Sequence, residues 1–270
     1  MTQVNSRQAS MSLKSATWLT LLPCVRPPSA LASGIRSELI IRVLMIVAIG
    51  GYVNSTDGYL VDTSASATGP LLLLAHGAGA PADSPFMANL AAALVEQGVT
   101  VIRFEFPYMA RRREDGRKRP PDRQDKLLAD FREHLEQLRK GPGRGRRIFI
   151  GGKSMGGRMA SVLASAAEFS GGFEGVVCFG YPFHPPGKPD RWRVGHFPEL
   201  QCPVCILQGT RDPFGKPEEV AAALPAPNPV TIHWLEGGDH DLLPPKRQAA
   251  SQADLIREAA RLAAEFMAGV

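Results

Sequence analysis

Ile148-Phe149-Ile150-Gly151-Gly152-Lys153-Ser154-Met155-Gly156-Gly157-Arg158 is the stretch on which the fold turns. An apolar run rich in β-branched residues meets a glycine pair. A serine follows, and a second glycine pair leads into Met159-Ala160-Ser161-Val162-Leu163-Ala164. The first run reads as a buried strand and the last as a helix. Between them, Gly152-Lys153-Ser154-Met155-Gly156 has the form G-x-S-x-G. Between a strand and a helix, this pattern marks a turn so sharp that the serine hydroxyl stands clear of the sheet. Such a serine holds a strained backbone that only the surrounding structure can enforce. Side chains two residues either side would collide, and glycine at 152 and 156 removes them. The pattern also fits a turn whose serine merely caps the following helix. The remainder of the chain has to decide between the two.

Working outward, the same alternation of strand and helix recurs. Leu71-Leu72-Leu73-Leu74-Ala75 is a continuous apolar run, as expected of a strand covered on both faces. Asp83-Ser84-Pro85 opens a helix running to Glu96, and Gly98 ends it. Val99 to Phe104 is the next strand. Further strands are expected at Gly175–Gly180, Val204–Gly209 and Thr231–Leu235. Helices are expected at Arg123–Lys140 and Gln248–Met267. Asn54-Ser55-Thr56-Asp57-Gly58 is a turn signal before a short strand, Tyr59–Asp62, giving an antiparallel edge hairpin. The fold class is therefore α/β: a doubly wound, mostly parallel sheet. Only about twenty residues separate the Gly175 and Val204 strands, too few for a large lid domain. The Pro-rich Tyr181–Pro189 part is expected to form a stiff rim near Ser154.

Chain length and composition agree. With 270 residues and 44% hydrophobic content, one α/β domain with a sizeable core is expected, plus some extra sequence. We divide the chain at residue 44. Residues 1–44 are rich in Ser and Arg, and no core element needs them. They read as a disordered extension or as sequence ahead of a true start at Met45, in preference to a secretory signal or a transit sequence. Their apolar runs are too short to span a membrane. The expected compartment is the cytoplasm. The four cysteines are too few for a disulfide scaffold. Cys202-Pro203-Val204-Cys205 leads into a strand, whereas a redox motif would open a helix, so these are read as core thiols. No metal-ligand spacing is present, and no cofactor is implied. The net charge of +5 is concentrated in Arg111–Arg119. With little aromatic interleaving, this segment does not suggest a nucleic-acid surface. It reads as a solvated charged loop, with attraction of an anionic substrate as the sharper alternative.

In a doubly wound sheet, reactive groups gather at the carboxyl ends of strands. A serine hydroxyl needs a base to take its proton and an acid to orient that base. Two later strand ends offer them: Gln208-Gly209-Thr210-Arg211-Asp212-Pro213-Phe214-Gly215 and Glu236-Gly237-Gly238-Asp239-His240-Asp241. The candidates are Ser154, Asp212 and His240, in that chain order. Asp212 also suits a turn before Pro213. Asp239 and Asp241 compete as the acid, but a sequence neighbour reaches poorly around to the ring. His134 and His233 read as structural, while His184 follows a strand end and is a rival site residue. An oxyanion would need two amides, assigned to Met155 and to Ala78 in His76-Gly77-Ala78-Gly79, with Gly77 or Gly79 as alternatives. His76, Gly77, Gly79, Tyr181 and His184 are the expected substrate-binding residues. Lys153 precedes the serine, so its side chain should turn back into the protein. A buried ammonium there needs a partner, for which Glu105 is the expectation.

Together these motifs resemble the α/β-hydrolase superfamily. More narrowly they resemble the dienelactone-hydrolase-like group that includes eukaryotic testis-expressed and chromatin-complex hydrolase-like proteins. The likeness runs from about Tyr59 to the C-terminus and rests on the segments quoted above. It also rests on Arg103-Phe104-Glu105-Phe106-Pro107-Tyr108 and Gly180-Tyr181-Pro182-Phe183-His184. It implies a Ser154–His240–Asp212 triad acting on a carboxylic ester or lactone, with a small-molecule ester as partner and neither nucleic acid nor membrane. Some relatives serve as complex subunits. A hydrolase-fold interaction protein with a vestigial triad is therefore the alternative.

Overall fold

Among the described residues, eight strands form one sheet in the order β1-β2-β4-β3-β5-β6-β7-β8. The computed structural model describes residues 53–54, 58–167, 172–224 and 229–270, so residues 1–44 and the expectations placed on them lie outside the described residues. The strands are β1 (Val53–Asn54), β2 (Tyr59–Asp62), β3 (Leu71–Ala75), β4 (Thr100–Phe104), β5 (Ile148–Lys153), β6 (Gly175–Phe179), β7 (Val204–Gly209) and β8 (Val230–Leu235). β1, β2 and β4 pair antiparallel, and every other pairing is parallel. The helices are α1 (Pro85–Glu96), α2 (Pro107–Asp115), α3 (Gln124–Lys140), α4 (Met155–Ala164), α5 (Pro217–Ala223) and α6 (Gln252–Gly269).

β3 shows how the sheet is held. All five of its residues are fully buried. Side chains alternate across a strand, so Leu71, Leu73 and Ala75 join one core with Leu127, Phe131 and Leu135 of α3 and Met159 and Leu163 of α4. Leu72 and Leu74 join the other with Leu90 and Leu94 of α1 and Ile256, Ala259 and Ala263 of α6. A strand buried on both faces has no polar side to show, which is why the sequence reads as an unbroken apolar run. From β3 the chain crosses to β4 on one side and returns to β5 on the other. The sheet therefore has its switch point beside β3, and a crevice opens at the carboxyl ends of β3 and β5.

One buried ion pair fixes the edge that the crevice leans on. Arg103 in β4 grips Asp62 in β2 with two hydrogen bonds of 2.8 and 3.1 Å, and both side chains are buried. Its remaining nitrogen donates to the Ala82 carbonyl at 2.7 Å. The loop after β3 is thereby tied to the neighbouring strand.

Three expectations are corrected. The basic segment is not a loop throughout, because Pro107–Asp115 is helical. Pro107 sits at the start of this helix, Tyr108 and Met109 are buried, and Gly116 ends it with φ 71°. Those are ordinary start and stop signals, masked by the density of charge between them. The last helix begins at Gln252 rather than Gln248, because Ser251 caps it by accepting from the Asp254 amide at 3.2 Å. Finally, Tyr181–His184 form no open rim. Tyr181, Phe183 and His184 are buried, and the Arg193 amide donates back to the Phe183 carbonyl at 2.8 Å. Among the described residues, no large lid covers the sheet.

Candidate active site

Ser154 has φ 53° and ψ −114°. Among the described residues, only Ser154 and Leu242 combine a side chain with positive φ. A Cβ on Gly152 would lie 2.5 Å from the Gly156 carbonyl carbon and 2.7 Å from the Ala75 oxygen. One on Gly156 would lie 2.6 Å from the Ala75 oxygen and 2.7 Å from that of His76. All of these are backbone atoms that cannot give way, so both positions must be glycine. The Ser154 amide donates to the Phe179 carbonyl at 3.0 Å, tying the turn to β6. Ser154 stands at the cap position of α4, yet its side chain makes no capping bond. Its Oγ lies 2.9 Å from His240 Nε2 instead.

The other ring nitrogen, His240 Nδ1, lies 2.8 Å from Asp212 Oδ2. The Asp212 side chain is fully buried, and that of His240 is 21% exposed. Asp212 also does what its turn position suggested: its Oδ1 accepts from the Phe214 amide at 2.9 Å. Phe214 then lies across the imidazole, ring centres 4.2 Å apart. Asp239 is not behind the ring, because its Oδ1 accepts the Asp241 and Leu243 amides, each at 2.9 Å.

A cavity of about 310 Å³ opens over this group. It is lined by Gly77, Ala78, Gly79 and Ala80, by Phe86 and Met87 of α1, and by Ser154, His240 and Phe214. Of the expected substrate-binding residues, Gly77 and Gly79 line it, while His76, Tyr181 and His184 do not. His76 is buried, with Nδ1 2.6 Å from the Gly77 carbonyl oxygen and Nε2 accepting the Phe106 amide at 3.1 Å. Burial lowers its pKa, so it stays neutral. Tyr181 donates its hydroxyl to the Arg193 carbonyl at 2.9 Å. His184 lies between the Pro185 carbonyl and Glu219, 3.0 and 3.4 Å away. Strand-end position placed these residues near the site in sequence, but their side chains are buried on other partners.

Lys153 turns inward as expected, but to a different partner. Its Nζ lies 3.2 Å from Asp241 Oδ1, and its side chain is 7% exposed. Burial lowers its pKa, and Asp241 works against that shift. Glu105 is instead held by Arg113, which grips Asp83 at the same time. Arg111 pairs with Asp122 and Arg119 with Asp115. Three of the six basic residues between Arg111 and Arg119 thus have carboxylate partners. Cys205 is a buried core thiol and Cys202 packs half-buried against the core, and burial raises their thiol pKa to about 12 and about 11.

Gln208 escaped notice in the sequence. From β7 its Nε2 donates to Asp212 Oδ2 at 2.9 Å and its Oε1 accepts the Tyr181 amide at 2.7 Å. The available signal was an amide at the end of an otherwise apolar buried strand.

This sheet order, with a strained serine between β5 and α4 and a histidine and an aspartate on later strand ends, defines the α/β-hydrolase architecture. The chain belongs to the α/β-hydrolase family, whose domain model matches residues 68–268. Est1E from Butyrivibrio proteoclasticus shares the fold with a TM-score of 0.60 and 13% identity, over 82% of this chain and 99% of that one. The dienelactone hydrolase from Anabaena variabilis does so with a TM-score of 0.60 and 20% identity, over 82% and 96%. An alpha-beta serine hydrolase homologue from Coxiella burnetii matches with a TM-score of 0.58 and 17% identity, over 79% and 95%. Among the described residues, no helix is long and apolar enough to cross a membrane.

Proposed function

We propose that the chain is a serine hydrolase of small carboxylic esters or lactones, working through an acyl-enzyme. His240 Nε2 takes the Ser154 proton as Oγ attacks the carbonyl carbon. Asp212, behind Nδ1, keeps the ring in the right tautomer and steadies the imidazolium. The tetrahedral oxyanion is received by the Met155 and Ala78 amides. His240 then hands its proton to the leaving alcohol. Water, activated by the same ring, releases the acid and restores Ser154.

The observation that carries this reading is the unbroken line from Ser154 through His240 to Asp212, with contacts of 2.9 and 2.8 Å. The oxyanion assignment draws on a second feature. Tyr108 donates its hydroxyl to the Gly77 and Ala78 carbonyls, and Arg112 donates to that of Gly79. Among the described residues, the Ala78 and Met155 amides have no acceptor. Ala78 lines the cavity and Met155 directly follows Ser154, which also lines it, so unpaired amides there suit an incoming oxyanion. The cavity volume favours a small acyl group. The names of the structural relatives, a dienelactone hydrolase and a serine hydrolase homologue, favour the ester and lactone class.

The test is labelling by a fluorophosphonate. Wild type should label and Ser154→Ala should not. Absence of labelling in both would overturn the reading in favour of a non-catalytic hydrolase-fold protein.

A further inference from the structure

Lys153 directly precedes the reactive serine, and Asp241 directly follows the histidine. Their ion pair of 3.2 Å runs beside the Ser154–His240 contact of 2.9 Å. Two neighbours on one segment thus meet two neighbours on another, 86 residues later in the chain. We infer that Lys153 and Asp241 form a positioning clasp, which holds the histidine-bearing loop against the serine turn. The inference rests on the hydrolase reading above.

The way the loop is anchored supports a clasp. Its lower part is tied to the end of β7. The Gly237 amide donates to Thr210 Oγ1 at 2.8 Å, and the Arg211 amide donates to the Gly238 carbonyl at 2.9 Å. Its tip is folded on itself around Asp239, and Gln252 of α6 donates to the Asp241 carbonyl at 2.8 Å. None of these bonds reaches the serine turn. Among the described residues, two polar contacts join the loop to residues 153–155: His240 with Ser154, and Lys153 with Asp241. Without the second, the reacting pair would have to hold itself together. The first must also loosen during each turnover, when the serine proton moves to the ring.

The path of the lysine is kept clear. Gly180 has φ 66°, and a Cβ on it would stand 3.2 Å from Lys153 Nζ and 3.0 Å from the His240 carbonyl oxygen. The ammonium also lies 5.3 Å above the Phe86 ring, which lines the same cavity. Lys153 is nearly buried while Asp241 is 64% exposed. The pair is therefore asymmetric: loss of the aspartate strands a desolvated cation, whereas loss of the lysine leaves only a surface carboxylate.

That asymmetry separates a clasp from simple packing. Lys153→Met, Asp241→Asn and the double variant would be compared with wild type for melting temperature, for kcat and KM on p-nitrophenyl acetate, and for fluorophosphonate labelling rate. Asp241→Asn should melt lower, and the double variant should regain the wild-type melting temperature. All three should lose kcat by about 100-fold, the scale of a misplaced catalytic group, with KM nearly unchanged. The double variant should be no worse than either single one. Activity that follows stability, returning in the double variant, would overturn the clasp and leave a structural ion pair. So would a wild-type labelling rate in Lys153→Met. Asp241→Asn, altered at an exposed position, keeps the test decisive if Lys153→Met does not fold. A wild type that neither labels nor turns over overturns the hydrolase reading and the clasp with it.

Discussion

Gln208→Leu probes how much of the candidate site depends on a residue that does not line the cavity. Leucine has a similar volume, so the change removes four side-chain hydrogen bonds without a large cavity, the two weaker ones being those to the Tyr181 and Gly215 carbonyls at 3.2 and 3.4 Å. The amide donates to the buried carboxylate of Asp212 at 2.9 Å and accepts the Tyr181 amide at 2.7 Å. A bond to an ionised group contributes about 1.5–3 kcal/mol, and stranding a buried amide costs about 1–3 kcal/mol. Added apolar burial returns about 1–2 kcal/mol. The net loss is about 2–4 kcal/mol, a clear displacement of the urea midpoint. Asp212 keeps the Phe214 amide on one oxygen, but the oxygen that faces His240 loses its second partner. The histidine is then less firmly oriented, and kcat on p-nitrophenyl acetate should fall about tenfold with KM little changed. Gln208→Glu would be worse, placing a second carboxyl against Asp212 where both side chains are fully buried. Wild-type stability and kcat in Gln208→Leu would refute this account, and would mean that the Phe214 turn alone holds the acid.

Gly156→Ala should be destabilised by about 3 kcal/mol or more, read from chemical denaturation, because the new Cβ meets the backbone oxygens of Ala75 and His76 at 2.6 and 2.7 Å. His196 packs beside Phe197, with Nε2 2.8 Å from Ser161 Oγ, and its pKa is lowered to about 4 by burial and then by Arg158. The unfolded chain binds a proton there near pH 6.5 and the folded one only near pH 4. Stability should therefore fall as pH drops through that window, by about 2 kcal/mol after allowing for solvent screening. His196→Asn should remove that slope in denaturation curves measured from pH 7 to 4. Replacing Arg111, Arg117 and Arg119 by serine should leave kcat/KM for a carboxylate-bearing ester within about twofold of wild type, since Arg111 and Arg119 already have carboxylate partners. A large loss that disappears in high salt would instead restore substrate steering.

Local chemistry made the elbow legible. A strand, two glycines, a serine and two more glycines leave the backbone few other solutions. The order of serine, aspartate and histidine on successive strand ends could also be read, because a doubly wound sheet brings those ends together. Partners across the fold could not. Lys153 was expected to reach Glu105 on the strength of a neighbouring strand end. But Glu105 is claimed by Arg113 from α2, a helix hidden by its own charge. Tyr181 and His184 sit past a strand end like true site residues, yet the chain doubles back through Arg193 and buries them. Sequence position says where a segment leaves the sheet. What it does next depends on packing over tens of residues.

The two strained residues show what the sheet is for. Ser154 and Leu242, with φ of 53° and 59°, lie on the two segments that meet at the Ser154–His240 contact. Each such conformation costs of order 1–3 kcal/mol and persists only where its surroundings leave no alternative. At Ser154 the constraint comes from β5, buried at every residue, and from α4, whose Met159 and Leu163 are packed into the core. At Leu242 it comes from the side chain itself, 1% exposed in the opposite core. The two faces of the sheet thus hold the two halves of the proposed reacting pair. Loosening either core should therefore reach Ser154 and His240 through the backbone, before any group in the cavity has been changed.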